Sequence, residues 1–124
     1  MRKLKDKSKK GKKNEKDFAL KLKLIFPSAE TEIKPRIINL KKDFWGIFDG
    51  LTFIKSKKKY IFWQLKNKKI SLTEFKAFWH KAYFFGNQNI IILLIEMLNN
   101  EFKIFFSSNR KKYLTKIKDL KKII

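Results

Sequence analysis

A chain of 124 residues is long enough for one domain that buries roughly two-thirds of its unfolded surface on folding. It carries 32 Lys and Arg against 11 Asp and Glu, and the resulting net charge of +21 points to a polyanionic partner, nucleic acid being the usual one. With no Cys and a single His, a disulfide framework, a thiolate zinc site and a histidine-cluster metal site are excluded, and a Ser-His-Asp hydrolase is disfavoured. The basic residues are nearly all Lys, and Ile, Phe and Asn are abundant, so AT-rich codon usage is the competing account of the charge. Hydrophobic content of 44%, with 13 Phe, predicts a folded body. The charged N-terminus is followed by no apolar stretch of signal-peptide type. The longest purely apolar run, Ile90 to Ile95, is far short of the ~20 residues that span a bilayer. The expectation is a soluble, cytoplasmic protein that makes no membrane contact.

Residues 1–13 read as a lysine-rich flexible arm, either a phosphate-gripping tail or a solvated terminus, and 14–124 as one domain. Lys12 to Phe26 reads as a first helix, because Phe18, Leu22 and Ile25 recur at helical spacing. Glu15 falls on the same apolar stripe, where an acid is costly unless paired or bound to a cation. Pro27 ends the helix. Glu30 to Arg36 reads as a strand. Phe44 to Lys55 reads as a second, with bends at Gly46 and Gly50, and Tyr60 to Lys66 as a third, after a turn at residues 55–59. A turn centred on Lys57 sets Gly50 opposite Gln64, to within about one residue of register.

Ser71 to Phe85 reads as a second helix opened by the capping box Ser71-Leu-Thr-Glu74 and stopped at Gly86-Asn87. Phe75, Phe78, Ala82 and Phe85 share its apolar face, and His80 lies on the polar one. Gln88 to Glu96 reads as a buried strand and Glu101 to Phe106 as another, after a turn at Asn99-Asn100. Arg110 to Ile124 reads as a final amphipathic helix through Tyr113, Ile117, Leu120 and Ile124. Strands and helices in this order predict a mixed sheet with helices on its faces, an α/β or α+β sandwich.

One constellation carries chemistry. Asp49 lies on the first arm of the predicted hairpin, and Gln64-Leu65-Lys66 on the second. Gln64 and Lys66 are two residues apart and so project from one face. An oxygen ligand beside a lysine suits phosphodiester cleavage, where charge on the phosphate must be neutralised. Each residue also has a structural explanation. Asp49 can cap or bend the chain at Gly50, Lys66 can be one more solvated lysine, and Glu15 can pair with Lys12 or Lys66. Asp43 lies about 20 Å from Asp49 if the strand is straight, which leaves it a supporting role, as does Glu32 on the first strand. His80 reads as a phosphate-facing or solvent residue. Trp45, Trp63 and Trp79 read as core residues, with base stacking the minority role for one of them.

The pattern of Glu15, Asp49, Gln64 and Lys66, with Phe48-Asp49-Gly50 and the basic start Lys10-Gly11-Lys12-Lys13-Asn14-Glu15, resembles the PD-(D/E)xK nuclease superfamily. Its small members include archaeal-type Holliday-junction resolvases, and the resemblance covers roughly Lys12 to Glu96. It implies a restriction-endonuclease-like fold: a mixed β-sheet flanked by helices around an α-β-β-β-α-β core. It implies a magnesium-dependent endodeoxyribonuclease, a hydrolase of DNA recombination or repair, with Mn²⁺ able to substitute. Asp49, Gln64, Glu15 and the Leu65 carbonyl would be the metal ligands and Lys66 the charge-neutralising residue. The implied partner is branched or double-stranded DNA, and two symmetric cuts imply a homodimer. The departures are Gln64, where the family has Asp or Glu, and Phe48, where a Pro is usual. An amide oxygen still suits a hard cation but brings no charge. A non-catalytic nucleic-acid-binding protein on a decayed nuclease fold is the alternative, and a basic ribonucleoprotein subunit a further one.

Overall fold

The computed structural model describes residues 2–33, 36–37, 40–41, 44–99, 101–108, 111–116 and 119–124, with side chains over 13–33, 44–99, 101–106, 119–121 and 124. The expectations on Asp43 and Ile117 lie outside these residues. In chain order the elements are α1 (Arg2–Ile25), β1 (Ala29–Ile33), β2 (Arg36–Ile37), β3 (Leu40–Lys41), β4 (Gly50–Ile54), β5 (Lys59–Lys66), α2 (Leu72–Ala82), a 3₁₀ turn (Tyr83–Phe85), β6 (Ile90–Leu98), β7 (Glu101–Ser108), β8 (Lys111–Lys116) and α3 (Leu120–Ile123).

Six strands form one sheet in the order β1-β4-β5-β6-β7-β8, and β2 and β3 pair as a separate small ribbon. Every neighbour in the large sheet is antiparallel except β5 and β6, which run parallel. A parallel pair needs a crossover, and α2 supplies it. The fold is mixed α/β. The helices lie on opposite faces. Phe18 and Leu22 of α1 pack with Ile54, Trp63, Leu93 and Ile95. Phe78, Trp79 and Ala82 of α2 pack with Phe48, Phe62, Ile92 and Leu94. Successive residues of β5 and β6 therefore alternate between two cores, which explains why both strands read as nearly continuous apolar runs.

Helix α2 is the element whose local chemistry is clearest. Ser71 caps it through its hydroxyl, which accepts from Glu74 N at 3.1 Å, and the Glu74 side chain completes the capping box. The Glu74 carboxyl is held below its usual range by its hydrogen bonds to Lys68 and Ser71.

Three expectations need correction. The first helix begins at Arg2 rather than Lys12, so the segment expected as a flexible arm continues α1. The strand expected from Phe44 holds only from Gly50. Before it, Trp45 and Gly46 both take positive φ, 54° and 69°, and Ile47 N donates to Phe44 O at 3.0 Å. Positive φ at both central positions belongs to the mirror-image turns that reverse a chain tightly, so Gly46 ends the strand instead of bending it. The first part of the expected final helix is a strand. β8 pairs with β7 from Ser108↔Lys111 to Lys103↔Lys116, and among the described residues of that segment α-helix is confined to the four of α3. Leu120 and Ile124 are spent in the core of the α1 face.

The hairpin register decides where the candidate site falls. Gly50 pairs with Trp63, one residue away from the expected Gln64. The Trp63 indole lies directly over Gly50. A Cβ built there would sit 2.1 Å from the ring. Trp63 also donates through Nε1 to Thr52 Oγ1 at 3.1 Å, and Thr52 meets Thr31 Oγ1 at 2.8 Å. Phe18 meets the indole edge-on at 4.9 Å between ring centroids. Replacing Gly50 by Ala forces the indole out of a fully buried position. Overpacking of this kind costs about 1–3 kcal/mol or more, and a urea titration of Gly50→Ala should show that loss, whereas Gly46→Asn should unfold close to the parent.

Candidate functional site

The site grows from the place where β4 stops. Because β4 begins only at Gly50, the neighbouring end of β5 has no main-chain acceptor for its Leu65 N–H on that side. Asp49 provides one. Its Oδ2 accepts from Leu65 N at 2.8 Å, while its own N–H donates to Trp63 O at 2.8 Å. The Asp49 side chain thus stands in for a missing strand residue and is 96% buried (4% exposed).

Continuing the register places Asp49 across from Gln64, and the pairing of β5 with β6 sets Gln64 beside Leu94 and Lys66 beside Glu96. Alternation along the strands puts Gln64, Lys66 and Glu96 on the face of Phe62, Ile92 and Leu94, the α2 face. Gln64 and Lys66 are half-buried. Leu65 points the other way, into the α1 core.

Glu15 arrives from that other face. Phe18 contacts Trp63, and Asn14 Nδ2 donates to Asn67 Oδ1. These two contacts bracket Glu15 over the Leu65 end of β5, where it is 3% exposed. The structure therefore joins Asp49 directly to Leu65, keeps Gln64 and Lys66 adjacent on one face, and brings Glu15 to the same end of the sheet from the opposite side. His80 is exposed on α2, as expected. Glu32, on β1, pairs with Leu51, which pairs with Phe62, so it lies level with the middle of β5, two strands away and four residues short of Lys66.

Glu96 is the residue that sequence reasoning passed over. It is 4% exposed, and its Oε1 accepts from Ile70 N at 2.6 Å, tying the end of β6 to the loop that enters α2. Among the described residues, the buried acids are Glu15, Asp49 and Glu96, and all three gather at one end of β5 and β6. In a chain with so few acids, burying three at one place is costly unless cations or donors meet them. The only trace of Glu96 in the sequence is an acid closing an apolar run, which also marks an ordinary strand end.

The donor set is oxygen throughout: the Asp49 carboxylate, the Gln64 amide and the Leu65 carbonyl. That chemistry fits Mg²⁺, which is commonly held by one or two carboxylates together with water and substrate phosphate. Among the described residues, no group of three or more His, Cys, Asp or Glu is placed to hold a metal by itself. A metal here would depend on the neutral oxygens and on the substrate. No helix among the described residues is long and apolar enough to cross a membrane. Comparison with protein-family models, curated proteins and solved structures finds no match.

Asp49 has a structural duty separable from its charge. Asp49→Asn keeps an acceptor for the Leu65 N–H and should melt close to the parent. Asp49→Ala leaves that donor unpaired and should lose about 1–3 kcal/mol in chemical denaturation.

Proposed function

We propose that this protein is a metal-dependent DNA endonuclease with a PD-(D/E)xK-type site and a restriction-endonuclease-like core. The observation that carries the reading is that the buried acids Glu15, Asp49 and Glu96 lie at the same end of β5 and β6 as Lys66, Glu15 on the α1 face and Glu96 in register with Lys66, in a chain of net charge +21. Fold stability alone gives little reason for that concentration, because buried ionic groups rarely stabilise more than apolar replacements. The order helix, three antiparallel strands, crossover helix and parallel strand supports the same reading.

In this reading Asp49, Gln64 and the Leu65 carbonyl would hold Mg²⁺, and Glu15 would add a carboxylate from the α1 side. Bound Mg²⁺ supplies Lewis-acid polarisation of the phosphate and lowers the pKa of a water nucleophile. Lys66 neutralises charge that develops on the phosphoryl oxygens. Glu96, in register with Lys66, supplies at this end of the sheet the negative charge that Gln64 lacks. Surface lysines at 55–59 and 66–69 grip phosphates without reading sequence, so a branched DNA recognised by shape is the proposed substrate. A homodimer would place two sites for paired cuts, as a Holliday-junction resolvase requires. A second reading is favoured by Gln64 alone: a nucleic-acid-binding protein that has lost catalysis.

A labelled four-way junction and a matched linear duplex, incubated with Mg²⁺, Mn²⁺ or EDTA, separate these readings. Paired metal-dependent nicks confined to the junction are expected, and Lys66→Ala and Asp49→Ala should abolish them while binding persists. Cutting of both substrates removes the junction preference. Binding without cutting in either metal selects the non-catalytic reading.

Glu96→Gln gives a sharper check on the charge argument, because glutamine still accepts from Ile70 N. Titration with Mn²⁺ should show affinity weakened about tenfold, the scale on which residues supporting metal ligands act. Adding Gln64→Glu to that variant should recover most of the loss.

A further inference from the structure

The face that carries Gln64 and Lys66 continues past them as an open groove. Tyr60, Phe62, Gln64 and Lys66 lie in one row along β5. Helix α2 covers the middle of this face, leaving the part over β1, β4 and the start of β5 open as a groove of about 490 Å³. Its floor and walls include Trp45, Phe53, Tyr60 and Phe62, with Glu30 and Glu32 along the β1 edge.

Two properties of this groove need an explanation. The first is aromatic exposure. Trp45 is 60% exposed and Tyr60 43%, while the other two tryptophans, Trp63 and Trp79, are buried. Trp45 is held in the left-handed region, unusual for so bulky a residue, and its ring leans on Phe85 and Phe62 at 5.2 and 5.6 Å. Phe53 and Tyr60 stack at 4.7 Å. The second property is charge. In a chain this basic, two carboxylates border the groove. Lys55 meets Glu30 at 2.6 Å and holds its carboxyl below the usual range. Glu32 is exposed beside it.

The net charge of the molecule selects a polyanion, yet with Glu30 paired to Lys55 it is Glu32 that disfavours phosphate in the groove itself. What enters must be the uncharged part of a polyanion. A nucleobase meets both requirements: its ring stacks on exposed aromatics, and its amino groups donate to carboxylates. We infer that the groove bounded by Trp45, Tyr60 and Glu32 binds an unpaired base of single-stranded DNA. The inference rests on the nucleic-acid reading above and names the substrate class more closely, as DNA with unpaired nucleotides beside the cut. Phe62 and Lys66 are four residues apart, about 13 Å along the strand, so a base in the groove lies a few nucleotides from a phosphate at Lys66.

The test uses the full chain in EDTA, so that binding is read without cleavage. The probes are a short labelled single-stranded DNA and the same backbone with its bases removed. Tryptophan fluorescence is read alongside anisotropy, since Trp45 is the tryptophan within reach of a ligand. The base-bearing strand should bind about tenfold tighter than the abasic one, the scale of one base stacked on an aromatic ring, and should quench the fluorescence. Trp45→Ala should erase the difference while abasic binding stays as it was, which also shows that the variant folds. Trp45→Phe should keep most of the difference. Glu32→Lys, an exposed change, should narrow it by admitting phosphate. Equal affinity for the two strands without quenching overturns the groove and leaves the nuclease reading intact. Failure of both strands to bind overturns the groove, while the junction assay decides the nuclease separately. Discrimination and quenching, together with no cleavage of the four-way junction or the duplex in Mg²⁺ or Mn²⁺, keeps the groove and sinks the nuclease.

Discussion

The placement of Trp63 across Gly50 is the contact on which the rest of this molecule hangs. A buried indole needs room for a large ring and an acceptor for its N–H. Gly50 yields the room and Thr52 the acceptor, and both lie on β4. A slip of one residue would drive the indole into a side chain and turn Thr52 to the other face. The hairpin therefore has one register, and in that register Asp49 falls opposite Gln64. Phe18 closes on the same indole and so fixes how far α1 slides along β5. A single apolar fit thus sets the positions of two polar groups, Asp49 and Glu15, that do not touch it for their own sake.

The arrangement of charge is as constrained as the packing. Basic residues are spread over the surface, where water and salt screen them. The acids are few and concentrated. Among the described residues, three are withdrawn from water at the Leu65 end of β5, and two border the groove on the α2 face. Main-chain donors compensate part of the burial: Leu65 N meets Asp49, and Ile70 N meets Glu96. Both donors belong to backbone at the end of a strand or the start of a loop, where no sheet partner is at hand. The site is thus built from what a sheet leaves unfinished at its margin.

Much of this could be read from the chain. The periodicity of α1, the capping box of α2 and the apolar runs of β5 and β6 carry their structure locally, and Asp49, Gln64 and Lys66 stand out by residue type and spacing. What could not be read depends on contacts distant in sequence or on unusual backbone. Trp45 has strand propensity, so its left-handed turn is invisible until Gly46 and the Phe44–Phe48 bridge are seen together. Tyr113, Leu120 and Ile124 fit a helical stripe equally well, and pairing with β7 decides the first of them otherwise. Glu96 gains its meaning only from the parallel register that sets it beside Lys66. The three tryptophans look alike as letters, and only burial separates Trp45 from the others.

The parallel pairing of β5 and β6 has a consequence for how the molecule comes into being. Lys66 and Glu96 are neighbours across the sheet, yet α2 and its flanking loops lie between them in the chain. During synthesis Asp49, Gln64 and Lys66 can assemble on a local hairpin while the ribosome still holds Glu96. The partner of Lys66 arrives only when the crossover has closed, a late event because non-local parallel pairing is slow. A nascent or truncated chain would carry the basic surface and Lys66 without the carboxylate that stands in register with it.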